Sequence, residues 1–363
     1  MTASIPSVSL QHSANLDLLR AVAVTCVIVH HLALTVHDHM GLLPLWTLDH
    51  FRALGHAGVL MFFVHTSMVL MESLDRLIRK EERPTAVFYI RRAFRIYPLA
   101  IVAILIAVVL HVPAKTWGTS DAGPTLRVIL SNLLLIQNLV VKQQVLGPLW
   151  SLPYEVQMYV VLPLLHSIAT RVRALRNLLL LYGGFCGIGL TLLHFTPRLN
   201  MFAYIPCFLC GVLCYAISRG RPVKRVPGAL WVPFLLCAVA CFITPIRFGE
   251  EATDWSGWLL CLVLGCIIPF VRDVRSRWLG TSGQQVAQYS YGVYLFHPVA
   301  LWLMFMKLPA GNVSLRVTAF LLLTALFAVA GYHLIELPFI QLGKRFHAAR
   351  RSRIVLRDQP SGS

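Results

Sequence analysis

The sequence has little charge: Asp, Glu, Lys and Arg make up 13% of its 363 residues, against 57% that are hydrophobic. A soluble domain of this length needs a far more polar surface, so that class is excluded and lipid is the natural solvent. A cysteine framework is missing too. The nine cysteines fall mostly inside apolar runs, which argues against disulfides. Cys207, Cys210 and Cys214 share one helix face, but no second thiol pair follows at a zinc spacing, so no metal is assigned. The N-terminus has neither a basic segment nor a small-residue cleavage site. The first apolar run therefore reads as a retained helix and not as a cleaved signal. No internal repeat and no separate soluble domain stands out.

What is present is a net charge of +17. Its Lys and Arg sit in short clusters between apolar runs, which suits loops facing an anionic leaflet and not a nucleic-acid groove. Ten runs approach the ~20 residues that a helix needs to cross ~30 Å of hydrocarbon. They are 16–36, 53–73, 96–112, 149–168, 178–195, 201–217, 229–246, 255–271, 286–305 and 315–335. With the N-terminus inside, the inner segments hold 23 Lys and Arg and the outer loops seven. That bias puts both termini in the cytoplasm. The expected fold is all-α: a polytopic membrane protein with about ten transmembrane helices. Residues 1–343 form the transmembrane domain and 344–363 a short basic cytoplasmic tail. Stretch 126–141 is apolar but carries Arg127, Asn132, Gln137 and Asn138. Counting it as a span would move every later Arg cluster outside, so it reads as an interfacial or re-entrant helix.

Ionisable groups inside spans cost about 2.5–3.5 kcal/mol each on insertion scales, so each needs a partner or a purpose. The first span holds Arg20 and, eleven residues on, His31, which helix geometry sets roughly 16 Å apart. In the fourth span Glu155 follows Trp150, read as an interface anchor, by five residues, or about 8 Å. His297 falls near the middle of the ninth span. His31, Glu155 and His297 are thus expected at similar depth, where a neutral imidazole beside a carboxylate is a ready general base. His30 points about 100° away from His31 and is assigned a hydrogen bond to a neighbouring helix instead. At the mouth of the third span Arg92 and Arg95, three apart, share a face and suit a phosphorylated ligand held in bidentate fashion.

These residues lie in stretches that resemble the acyltransferase-3 family of bacterial membrane O-acyltransferases. Leu16-Asp17-Leu18-Leu19-Arg20 with His31 resembles its Arg-x10-His first helix, and Arg92-Ala93-Phe94-Arg95 its RxxR segment. Trp150-Ser151-Leu152-Pro153-Tyr154-Glu155 is similar to a WSLxxE segment, Ser290-Tyr291-Gly292-Val293-Tyr294-Leu295-Phe296-His297 to SYxxYLxH, and Glu336-Leu337-Pro338 to a closing E-x-P. The chain departs from the family at Leu60, Thr66 and Ser67, where Asp, Ser and Gly are frequent, and at Val156. The resemblance implies transfer of an acyl group, most often acetyl, from acyl-coenzyme A to a hydroxyl of a sugar, polysaccharide or lipid-linked glycan at the bacterial inner membrane. It implies no permanently bound cofactor; acyl-coenzyme A is a substrate. On this reading His31 is the general base or a transient acyl acceptor. Glu155 orients the imidazole, and Arg20 stabilises negative charge. Arg92 and Arg95 hold the donor phosphates, and His297 adds a second polar wall to the donor site. The rivals are a proton-coupled transporter, which the lack of inverted repeats disfavours, and a haem carrier, which needs axial histidines facing one site.

Overall fold

The computed structural model describes residues 13–81, 83–113, 123–171, 173–195, 201–219, 225–246, 254–308 and 311–345. The tail from 346 onward, and several of the charged loop residues counted above, lie outside the described residues. Twelve α-helices follow in order: α1 Ala14–Met40, α2 Leu48–Ile78, α3 Pro84–Val109, α4 Leu126–Leu133, α5 Gln137–Val140 and α6 Leu152–Ala169. Then come α7 Ala174–Phe195, α8 Met201–Ser218, α9 Trp231–Ile243, α10 Asp254–Ile267, α11 Arg277–Leu301 and α12 Val313–Gly331. The only pairing outside helices, among the described residues, is a single bridge between Val226 and Val271. Each of the ten apolar runs coincides with a helix. Six are both long and apolar enough to cross a membrane: α1, α2, α3, α7, α8 and α12 with its continuation to Arg345. The helices α9 and α10 are apolar but shorter.

The helix α2 is the axis of the bundle. It is buried along most of its length, packs on α1, α3, α6, α8, α9 and α10, and carries the largest share of the fully buried side chains, among them Phe63, Met61 and Met71. The helix α7, by contrast, is mostly uncovered on its apolar faces, as expected of a helix whose outer surface meets lipid tails. Close helix approach is set by glycines. A side chain at Gly211 on α8 would lie 2.2 Å from the Val64 carbonyl and 2.0 Å from Ser67 Oγ of α2, so only glycine admits this contact. The buried thiols fill the same seam. Cys210 Sγ donates to the Pro206 carbonyl at 3.1 Å, Cys214 Sγ lies 3.1 Å from Met68 Sδ, and all nine cysteines are free.

The polar residues of 126–141 have a structural purpose. The stretch is not one helix but two, eight and four residues long, followed by a 3-10 turn at Gly147–Trp150. Such backbone exposes polar groups that must be met within the protein. Asn132 meets them: its amide donates to the Val128 and Gln143 carbonyls at 2.8 and 3.0 Å, and its oxygen accepts from the Val145 N–H at 3.1 Å. Gln137 donates to the Leu149 carbonyl at 2.9 Å, and Asn138 exchanges hydrogen bonds with Gln157 of α6. The loop is thereby stapled against the bundle.

Gly211→Ala should lower stability by about 1–3 kcal/mol through overpacking against the α2 backbone. Gly184→Ala on α7, where an added Cβ meets open space, should be neutral. Melting temperatures in detergent check both.

Candidate functional site

Two cavities lie one above the other in the bundle. The inner one, about 210 Å³, gathers charge from four helices: Arg20 of α1, His65 of α2, Arg92 and Arg95 of α3, and Glu155 with Tyr159 of α6. The spacing explains the convergence. Arg92 and Arg95 are three residues apart, and Glu155 and Tyr159 four, so each pair shares one helix face. Arg91, between the faces, turns away to Glu81 at 3.6 Å. Tyr159 donates its hydroxyl proton to the Glu155 carboxylate, and Glu155 lies within electrostatic reach of Arg20, Arg92 and Arg95. A second carboxylate arrives from the far end of the chain. Glu336 closes a π-helical turn, Tyr332–Glu336, is 1% exposed, and pairs with Arg95 at 3.5 Å. Three guanidinium groups thus face the Glu155 and Glu336 carboxylates, and Asp17 of α1 also lies within electrostatic reach of Arg20.

The outer cavity, about 480 Å³, is lined by His30, His31, Arg52, His56, Trp150 and Tyr204, together with Gly147 of the stapled loop. The His56 ring lies parallel to Trp150 and to Phe242, with centroids 6.2 and 6.3 Å away. His31 Nδ1 is 2.9 Å from the Val27 carbonyl and 3.2 Å from His297 Nε2. Val59 and Tyr294 line both cavities and form the wall between them. The Tyr294 hydroxyl is held in place: it donates to the Pro148 carbonyl at 2.6 Å and lies 2.7 Å from Ser151 Oγ.

Arg20, Arg92, Arg95 and Glu155 therefore meet in one cavity, with His31 in the adjoining one. Two expectations need correction. Glu155 does not orient His31; it faces the guanidinium groups of the inner cavity. The Trp150 ring, expected as an interface anchor, instead stacks on His56 and lines the outer cavity. His297 lines neither cavity. It is fully buried behind His31, covered by α1. His30 makes the expected hydrogen bond to a neighbouring helix, at the Phe51 backbone of α2, while its ring also lines the outer cavity, edge to face with His31 at 4.4 Å.

Other residues of the site had fainter signals. His65 stands alone in an otherwise apolar run, and Tyr159 falls one turn after Glu155. Glu336 belongs to the closing E-x-P motif, far from Arg95 in sequence. Only tertiary packing brings them together.

The model of the acyltransferase-3 family, described as an acyltransferase domain, matches residues 13–333, nearly the whole chain and every residue of both cavities. No curated protein and no solved structure matches the chain.

Glu336→Ala leaves Arg95 without its buried partner and should cost about 3–5 kcal/mol. Arg76→Ala, which removes a more exposed pair with Glu72, should cost under about 1 kcal/mol. Denaturation of the two variants in detergent gives the comparison.

Proposed function

We propose a mechanism from one premise: the chain belongs to the acyltransferase-3 family and is a membrane-bound acyltransferase. Its donor is acyl-coenzyme A, acetyl in the simplest case, and its acceptor is a hydroxyl of a sugar, a polysaccharide or a lipid-linked glycan. The protein crosses the bacterial inner membrane ten times with both termini in the cytoplasm. In that orientation the end of the bundle nearest Arg20, Arg92 and Arg95 faces the donor pool.

The observation that carries this reading is the convergence of three guanidinium groups in a cavity that adjoins His31. Paired guanidiniums suit phosphate oxygens. The donor's phosphates bind Arg92 and Arg95 at the cytoplasmic mouth. The pantetheine arm runs past Tyr294, and the thioester reaches the outer cavity. The acceptor enters that cavity from the other face, against the aromatic rings of His56, Trp150 and Tyr204.

His31 performs the transfer. Its imidazole takes the proton of the acceptor hydroxyl as the oxygen attacks the thioester carbonyl. The new C–O bond forms, the C–S bond breaks, and the coenzyme thiolate leaves and receives the proton that His31 holds. An equivalent route passes the acyl group through the imidazole before the hydroxyl takes it. Arg20 stabilises the negative charge of the donor or of the developing oxyanion.

In vesicles supplied with labelled acetyl-coenzyme A, His31→Ala should abolish acetyl incorporation into membrane glycan while donor affinity, read by calorimetry in detergent, stays within about twofold. The Arg92→Ala/Arg95→Ala protein should bind the donor at least about 100-fold more weakly, each charged hydrogen bond contributing about 1.5–3 kcal/mol. Arg79→Ala should bind as the parent does. Parental donor affinity in the double variant, or parental transfer by a folded His31→Ala protein, would contradict the reading.

A further inference from the structure

His297 lies behind the imidazole assigned to the chemistry, not in either cavity, and faces the same ring nitrogen as a backbone carbonyl does. Backbone carbonyls settle where each ring carries its hydrogen. His31 Nδ1 is 2.9 Å from the Val27 carbonyl, an oxygen that can only accept, so Nδ1 bears a proton. His297 Nδ1 is 3.1 Å from the Val293 carbonyl and also in reach of the Tyr294 carbonyl. The helical donor to Tyr294 is absent because residue 298 is proline. The proton of His297 is therefore on Nδ1 as well, and its Nε2 is a bare acceptor. That acceptor lies 3.2 Å from His31 Nδ1, with the ring centroids 4.8 Å apart. The contact runs in one sense only, from His31 to His297.

We propose that His297 is the positioning residue of the acyl-transfer centre. Its Nε2 is a second acceptor for the His31 Nδ1–H, shared with the Val27 carbonyl, and holds the ring in the orientation in which the lone pair is on Nε2. This rests on the assignment of His31 as base or acyl acceptor. The ring lines the outer cavity, and Nε2 is the nitrogen that takes the acceptor's proton. When it does, both His31 nitrogens carry hydrogen and the ring becomes cationic. The bond from Nδ1–H to His297 Nε2 is then charge-assisted, roughly twice as strong as before. An interaction that strengthens only as the reaction proceeds accelerates the chemical step without tightening ground-state binding. The proton on Nε2 then passes to the departing thiolate, and the pair returns to its starting state. A second acyl route, in which Nε2 attacks the thioester, places positive charge on the same ring and uses the same bond.

A histidine suits this place better than the carboxylate expected there. His297 is 0% exposed in the middle of the bundle, where a carboxylate would be a buried full charge whenever His31 is neutral. A neutral imidazole has no such cost, yet still supports the cation when it forms. The competing explanation is a plain interhelical hydrogen bond that joins α1 to α11. That bond would affect folding but not the chemical step.

The test uses full-length protein in membrane vesicles, with labelled acetyl-coenzyme A as donor and endogenous membrane glycan as acceptor. His297→Leu removes the acceptor nitrogen, and His297→Gln restores an acceptor at similar reach. His297→Leu should lower the rate at saturating donor by about 100-fold or more, the scale of losing an oriented base. The donor KM should change by less than about twofold. His297→Gln should recover at least tenfold over Leu. A parental rate for His297→Leu, with His31→Ala inactive, overturns the His297 proposal and leaves the His31 assignment standing. So does a folded His297→Gln protein as slow as His297→Leu. Activity in folded His31→Ala overturns the underlying assignment instead. If His297→Leu fails to fold, the His297→Gln rate and KM decide alone: a fall in donor affinity at unchanged saturating rate overturns the proposal.

Discussion

A guanidinium inside a lipid-facing bundle must find its counter-charge within the protein, and the arrangement around Arg20, Arg92 and Arg95 follows from that requirement. Glu155 comes from α6 and Glu336 from the turn that ends α12, so elements distant in sequence are drawn to one centre. The π-helical turn at Tyr332–Glu336 shifts the register of the last helix so that Glu336 points into the bundle. The pairing is incomplete in a useful way. Arg92 Nε is buried without an acceptor, which leaves a donor for an anionic ligand, while the two Glu336 oxygens, without hydrogen bonds, leave room for a donor group.

The second organising element is the interrupted segment between α3 and α6. A continuous helix there would close the space that the outer cavity occupies. Instead Asn132, Gln137 and Asn138 satisfy a broken backbone, and the loop delivers the Pro148 carbonyl to the Tyr294 hydroxyl. Tyr294 is consequently fixed at the boundary of the two cavities. The same polar residues that make 126–141 a poor span make it a stable wall.

Much of this was legible beforehand. Apolar run length gave the helices, and helical spacing put Arg92 and Arg95 on one face. Helix rise separated Arg20 from His31 into what became two adjoining cavities. The stretch 126–141 was read as something other than a span because of its polar residues. What failed were depth estimates that relied on an anchor. Trp150 looked like an interface residue by type, but its ring stacks on His56 and lines the outer cavity, and Glu155 lies beside the arginines. The pairing of His31 with His297 depends on the rotation of α11 against α1, which no single helix period encodes. Glu336 was visible only as part of a motif, since its partner Arg95 lies far away in sequence.

Together these features describe two adjoining cavities in the bundle, one lined by charge and the other by aromatic rings and His31, with Tyr294 between them. The central claim is that the two cavities open on opposite faces of the membrane, and sided thiol labelling tests this most directly. In a functional protein without its nine native cysteines, Thr66→Cys marks the inner cavity and Gln144→Cys the outer. A membrane-impermeant thiol reagent should label Gln144→Cys in intact cells and Thr66→Cys only in inside-out vesicles, where acetyl-coenzyme A should protect it. Labelling of both positions from the same face, with no protection of Thr66→Cys by the donor, would contradict the account.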